Sequence, residues 1–115
     1  MERLRRCPDG FEVIVHGGPE RDRVADALLA DRAQVVAVAL DMLGRYLAPR
    51  FAREAFHPEF AEVHPEPLPE RGDVTLGLTV TPDDDPHAEG YTRFDVHLRL
   101  DDDRWHAVRF AVGFW

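Results

Sequence analysis

Apolar and polar positions alternate most regularly in the last third of the chain. Every second position is apolar in three stretches there. A period of two is typical of strands with one buried face, so the pattern predicts three antiparallel strands in a meander. The positions expected to be buried are the even-numbered ones, Val74, Leu76, Leu78, Val80, Phe94, Val96, Leu98, Leu100, Val108, Phe110, Val112 and Phe114.

A hairpin and a helical stretch precede this meander. Residues 4–16 predict two short strands, joined by a turn at 7–10 that contains Pro, Asp and Gly. Between 24 and 47, apolar residues recur every three or four positions, which is the period of an amphipathic helix. Pro49 ends that stretch. The pattern is compatible with one long helix or with two helices that break near Asp31.

Residues 50–72 show neither the period of two of a strand nor the period of three to four of a helix. Alternate prolines between 65 and 69 force an extended backbone and remove donors from any ladder. We therefore expect a proline-rich connector here, inside a single domain that covers 1–115. The expected fold class is α+β. It has an N-terminal β-hairpin, one long helix that is either continuous or broken, and a C-terminal three-stranded antiparallel meander. The helix packs on one face of an antiparallel sheet of about four or five strands.

The register of the last hairpin follows from the buried positions. Partners across a ladder share a face, so two even-numbered buried sets pair only when the loop has an odd number of residues. A three-residue loop at 101–103 satisfies this and pairs Val96 with Val108. The second face of the sheet is then expected to carry Thr75, Thr79, Arg93, Asp95, His97, Arg99, Trp105, Arg109 and Trp115.

Composition excludes several classes of site. The chain has no Ser, Lys or Asn, and it has one cysteine. A serine nucleophile, a Walker-type phosphate loop, an internal disulfide and a multi-cysteine metal site are therefore excluded. None of the six histidines has His-x-x-x-His spacing, so we expect no metal and no other cofactor.

The charge balance bears on partners and location. The formal net charge is −8, and all 14 basic residues are arginines. An acidic domain lacks the basic surface that nucleic acid requires, so we expect no nucleic-acid partner. No apolar run approaches the ~18 residues of a membrane span, and no secretory leader follows Met1. We expect a cytoplasmic domain without membrane contact.

Two features suggest a protein partner. Trp and Arg, which are enriched at interface hot spots, are both present on the predicted second face. The loop with Asp83, Asp84 and Asp85 adds negative charge that would attract a basic protein. The partner-binding candidates are His97, Arg99, Trp105, Arg109, Trp115 and these three aspartates, and a second copy of the chain is an alternative partner.

The helical segments at 28–31, 35–36, 39–40 and 46–47 stand between a hairpin and a meander. In this arrangement the chain resembles small acidic bacterial domains. Some of those domains are immunity proteins against secreted toxins. The resemblance implies a non-enzymatic binding module of the immunity or inhibitor kind. The alternative is a small-molecule-binding or enzymatic domain with a cone-shaped α+β fold, which would use His97, Asp95 or Arg109 in the concavity of the sheet. A pocket would favour this alternative, and a flat acidic surface would favour the binding module.

Overall fold

The computed structural model describes residues 2–47, 56–80 and 92–114. Within these ranges the chain forms the strands β1 (Arg3–Arg6), β2 (Glu12–Val15), β3 (Phe56–Leu68), β4 (Gly72–Val80), β5 (Thr92–Asp101) and β6 (Arg104–Phe114) and the helices α1 (Glu20–Ala30) and α2 (Arg32–Leu47). The strands form one sheet in the order β1-β2-β3-β4-β5-β6. The predicted α+β class is confirmed, although the sheet is larger than expected.

The N-terminal hairpin has the predicted place and turn. β1 pairs antiparallel with β2, and Arg3 lies opposite Val15. β2 then pairs in parallel with β3, with Val13 opposite Ala61. The parallel pairing requires the chain to return to the same end of the sheet, which the intervening helices accomplish. The sheet is therefore mixed, whereas we expected only antiparallel strands.

The helical stretch breaks at Asp31, which is one of the two arrangements that the pattern allowed. The Asp31 amide still donates to the Ala27 carbonyl at 2.9 Å, and the Asp31 carboxylate accepts a 3.3 Å hydrogen bond from Trp105 Nε1. α1 packs over β2 and β3, and α2 packs over β6. Neither helix of the described residues has the length and hydrophobicity needed to cross a membrane.

The segment expected to be a connector contains β3, a strand in the middle of the sheet. Its first part pairs with β2 on one side and β4 on the other. The pairing with β4 is interrupted between Val63 and Leu68, where Pro65 and Pro67 lie. The prolines thus limit the pairing at one end of the strand without preventing it, and the antiparallel meander includes four strands, β3 to β6. Residues 50–55 lie outside the described residues.

The prediction of a three-residue loop in the last hairpin was wrong. Asp101 pairs with Arg104, so the loop consists of Asp102 and Asp103, whose φ angles are 49° and 60°. Two successive positive φ angles are typical of a two-residue hairpin turn that follows the twist of the strands. The argument from odd and even positions failed because it assumed a regular ladder.

A β-bulge in β6 explains how a two-residue loop is compatible with burial of the even-numbered residues of β5. Leu98 lies opposite Ala107, whereas His97 lies opposite Arg109, so Val108 is an extra residue in β6. An extra residue exchanges the faces of the two parts of a strand. Before the bulge, odd-numbered residues face the helices, and after it even-numbered residues do.

The bulge changes the place of Trp105, which we expected on the second face. Trp105 is only 4% exposed and belongs to the core between sheet and helices. Phe110 packs against the same core, with its ring centroid 6.2 Å from that of Phe94. Val112 is 49% exposed, so its predicted burial was wrong.

The core on the helix-covered face otherwise follows the alternation. Six of the predicted positions in β4 and β5 are buried, namely Val74, Leu76, Leu78, Phe94, Val96 and Leu98. Val13, Val15, Ala61 and Val63 continue this layer across β2 and β3. The opposite face of the sheet, which we call the open face, carries Phe60, Glu62, Thr75, Asp95, His97 and Arg109.

Candidate functional site

The open face holds a cavity of about 450 Å³. Strands β3 to β6 and the turn at 69–71 provide its walls. The charged residues that line it are Glu62, Glu70, Arg71, Arg93, Asp95 and Arg109. The other lining residues are Phe60, His64, Thr75 and His97. The cavity is therefore polar, with cations, carboxylates and two imidazoles in one place.

Thr75 links the two histidines of the cavity. Thr75 Oγ1 lies 2.8 Å from His64 Nε2 and 2.7 Å from His97 Nδ1. Both distances are those of hydrogen bonds. This chain of hydrogen bonds, which we call the His64–Thr75–His97 chain, engages one nitrogen of each ring. It leaves His97 Nε2 and His64 Nδ1 available for other partners.

The register of the sheet explains why these residues meet. Thr75 lies opposite Glu62 of β3 on one side and opposite His97 of β5 on the other. Direct partners share a face of the sheet. His64 follows Glu62 by two positions, so it is on that face as well. Alternation along three neighbouring strands therefore builds the chain of hydrogen bonds.

A buried ion pair supports the end of β3 that carries His64. Arg21 Nε of α1 donates to the His64 carbonyl at 2.8 Å, and Arg21 Nη2 lies 3.1 Å from Asp73 Oδ1. The other carboxylate oxygen of Asp73 accepts the Leu100 amide at 2.8 Å. Because ladder pairing stops after Val63, these bonds replace it and hold the His64 backbone in position.

Burial lowers the pKa of both histidines below the usual histidine value. For His64, loss of hydration is the main cause, and the nearby Glu62 carboxylate opposes it by favouring the charged ring. For His97, loss of hydration is again the main cause, and the Arg109 and Arg71 guanidiniums lower the pKa further. Both rings are therefore neutral near neutral pH.

The arginines of the cavity fall into two groups. Arg93 pairs with Asp95 at 2.9 Å, and its guanidinium lies 5.6 Å from the centre of the Phe60 ring. Arg71 and Arg109 form no ion pair with any residue in the described part of the chain. Two guanidiniums close enough to lower the pKa of His97 are thus available to a ligand.

Gly77 allows Phe60 to line the cavity. Phe60 lies opposite Gly77 in the ladder, and a Cβ atom at Gly77 would overlap the Phe60 ring. Only glycine lets the ring lie directly against the strand at this point. The position of Phe60, and of the Arg93 guanidinium above it, therefore depends on residue 77 being a glycine.

The carboxylates of the cavity differ in their partners. Glu62 Oε1 lies 3.5 Å from His16 Nε2 and 3.8 Å from His64 Nδ1. Asp95 uses Oδ2 for Arg93, whereas its Oδ1 is buried without a hydrogen-bond partner among the described residues. Glu70 is exposed on the turn beside Arg71. Glu62 is thus the carboxylate placed to attract a proton on His64.

The structure brings together only part of the set predicted from the sequence. His97 and Arg109 lie opposite each other at the cavity, together with Asp95 and Thr75. Arg99 is exposed on β5 and does not line the cavity. Trp105 is in the core. Trp115, Asp83, Asp84 and Asp85 lie outside the described residues.

Sequence reasoning missed the contribution of β3. Phe60, Glu62 and His64 alternate with the buried Ala61 and Val63, which is a period of two over five residues. The neighbouring prolines concealed this signal because they favoured a connector. Arg71 was missed for a different reason, since a turn residue has no period that indicates where its side chain lies.

Two further findings concern ligands and relatives. Within the described ranges, no group of three or more His, Cys, Asp or Glu side chains is arranged to hold a metal ion. The chain matches no protein-family profile, no curated protein and no solved structure.

Proposed function

We propose that this domain binds a small anionic molecule in the cavity of the open face. The observation that carries this proposal is the pair of guanidiniums, Arg71 and Arg109, without ion-pair partners among the described residues and close to a neutral His97. Guanidinium groups bind carboxylate and phosphate through short charge-assisted hydrogen bonds. Such a ligand would supply the partners that the two arginines lack.

The size and lining of the cavity support a small polar ligand. Its volume of about 450 Å³ lies within the usual range of small-molecule sites. Most such sites are lined mainly by apolar side chains, whereas here Phe60 is the only hydrophobic residue among the lining residues described. A ligand with little apolar surface fits this lining better than a hydrophobic one.

The charges that line the cavity are balanced even though the whole chain is acidic. Asp95 is neutralised by Arg93, and Glu62 lies beside two histidines. Glu62 and Glu70 are the carboxylates left to oppose Arg71 and Arg109. The three arginines and three carboxylates of the lining therefore balance, and an anion would be held by direct contact with Arg71 and Arg109 and not by a net positive charge.

The hypothesis of a protein-binding module loses its main anchor. Trp105 was the aromatic residue expected to hold a partner, and it is packed between sheet and helices. The acidic residues Asp83, Asp84 and Asp85 and the second tryptophan, Trp115, lie outside the described residues. A basic protein partner stays a prediction, and the geometry of the cavity favours the small-molecule alternative.

The experiment is a titration of the protein with inorganic phosphate at constant ionic strength, in which NMR signals of the histidine rings are recorded at each phosphate concentration. We expect saturable shifts of the His97 signals. Arg109→Met should weaken phosphate binding about tenfold or more, because it removes charge-assisted hydrogen bonds. Arg99→Met is the matched control, since it removes an exposed arginine of the same sheet that does not line the cavity.

The titration has clear contrary outcomes. If phosphate causes no saturable shift, or if Arg99→Met and Arg109→Met weaken binding equally, the cavity is not an anion site. A parallel titration with tetramethylammonium chloride tests the opposite charge. Tighter binding of that cation than of phosphate would also overturn the proposal.

A further inference from the structure

The His64–Thr75–His97 chain has a direction, which its protons determine. A threonine hydroxyl has one hydrogen, so Thr75 donates to one histidine and accepts from the other. If Thr75 donates to His97 Nδ1, the hydrogen of neutral His97 is on Nε2. If Thr75 donates to His64 Nε2, His97 donates through Nδ1 and its Nε2 carries a lone pair.

The Glu62 carboxylate selects the second direction. Glu62 Oε1 lies 3.8 Å from His64 Nδ1, so the carboxylate favours a hydrogen on that nitrogen. His64 Nε2 is then the acceptor for the Thr75 hydroxyl. At the other end, the Arg71 and Arg109 guanidiniums oppose a second proton on His97, so its ring stays neutral. The Glu62 end therefore orients the chain, and the lone pair of His97 is then on Nε2.

We propose that His97 Nε2 is a general base that removes a proton from the anion bound in the cavity, with Thr75 and His64 as its positioning residues. This inference rests on the proposed anion site. The substrate class is a small carboxylate or phosphate that carries a weakly acidic C–H or O–H bond near its anionic group. Arg71 and Arg109 would hold the anionic group, and the acidic bond would lie against Nε2.

The proton transfer balances within the chain. The C–H or O–H bond of the ligand breaks, its electron pair stays on the ligand, and its proton forms an N–H bond at His97 Nε2. The Nδ1 proton of His97 moves to Thr75 Oγ1 while the Thr75 hydroxyl proton moves to His64 Nε2. His97 and Thr75 end neutral, and the positive charge ends on His64, where the Glu62 carboxylate stabilises it.

Charged groups surround His97 on several elements. Arg109 of β6 lies opposite it, and Asp95 precedes it by two positions on β5. Arg71 and Glu70 reach the cavity from the turn after β3. Arg71, Arg109 and Asp95 act on the charge of His97 directly, and the two arginines oppose its protonation. Moving the proton charge to His64 therefore takes it away from Arg109 and towards Glu62, whereas Arg71 acts on both rings.

The test is the tautomer of each ring in the ligand-free protein at pH 7.5. Two-bond ¹H–¹⁵N correlation spectra distinguish protonated from unprotonated ring nitrogens. We expect hydrogen on Nδ1 of both His97 and His64. A hydrogen on His97 Nε2 would overturn the proposal, and this result does not depend on whether phosphate binds.

Variants show whether the chain of hydrogen bonds sets the tautomer. Thr75→Val removes the hydroxyl at nearly constant volume, so the fixed tautomer of His97 should be lost, whereas Thr75→Ser should keep it. Glu62→Gln should weaken the preference for His64 Nδ1–H, and Glu70→Gln, which changes a carboxylate of the same cavity, should not. An unchanged His97 tautomer in folded Thr75→Val would show that Thr75 does not position the ring.

Phosphate separates this inference from the proposed function. Thr75→Val keeps both guanidiniums, so we expect it to bind phosphate saturably even where the His97 tautomer is lost. In the wild-type protein, phosphate should shift His97 Nε2 and leave Nδ1 protonated. Phosphate binding without this pattern would mean an anion site that lacks the base, whereas the tautomer without phosphate binding would mean an oriented chain at a site for another ligand.

Discussion

The two faces of the sheet use the same strands in different ways. Leu76 and Thr75 are neighbours on β4 that point to opposite faces, and they are 1% and 8% exposed. Leu76 is buried by apolar packing against the helix-covered core, whereas Thr75 is buried among hydrogen-bonding side chains. Low exposure therefore does not distinguish a core position from a site position. The two are distinguished by whether the neighbouring side chains are apolar or form hydrogen bonds.

The largest expected effect concerns the helix-covered face. Leu76→Ala should lower the free energy of unfolding by about 3 kcal/mol, because it removes a buried side chain and leaves a cavity. Arg109→Met on the open face should change it by less than about 0.5 kcal/mol, since that side chain is exposed. Urea denaturation of both variants measures the contrast. Equal losses would mean that the open face is part of the stability core.

A smaller effect of pH concerns the open face. Histidines of the unfolded chain titrate near 6.5, and the pKa values of His64 and His97 in the folded protein are lower. As the pH falls below about 6.5, the unfolded state takes up protons first, so the free energy of unfolding decreases. The stabilising contribution is complete above that pH. Urea denaturation between pH 7.5 and 5.5 should show this decrease.

Histidine variants assign the pH effect to the cavity. His64→Gln should reduce the change of the free energy of unfolding with pH, because it removes one of the two histidines whose pKa is lowered in the folded protein. His106→Gln, at an exposed position of β6, is the control and should leave the slope as it is in the wild type. If His64→Gln has the wild-type slope, His64 does not contribute to the pH dependence.

The smallest effect concerns the hairpin that sets the faces of β6. Asp103 has a φ of 60°, which glycine adopts without strain. Asp103→Gly should therefore raise the free energy of unfolding by about 0.5–1 kcal/mol. Asp101→Gly is the matched control and should lower it, since Asp101 pairs within the ladder. Destabilisation by Asp103→Gly would contradict the two-residue turn.

The contrast between β4 and β3 shows how far the sequence predicts the site. In β4, Thr75 alternates with Val74 and Leu76 without interruption, so the face of Thr75 was predictable. In β3, the same alternation around His64 is short and ends in prolines. One half of the hydrogen-bond chain was therefore visible in the sequence, and the other half became visible only when β3 was placed between β2 and β4.

The sequence by itself determined the local elements, namely the N-terminal hairpin, the helical stretch with its allowed break, and the alternating faces of β4 and β5. Periodicity determines these because it reports which side of an element is apolar. Only the tertiary structure decided the parallel pairing of β2 with β3, the bulge at Val108 and the burial of Trp105. These depend on contacts between distant parts of the chain, such as the bond from Trp105 to Asp31. A bulge exchanges the faces of a strand without changing its local pattern, so the alternation of β6 predicted the face of Arg109 but could not assign Trp105 to the core.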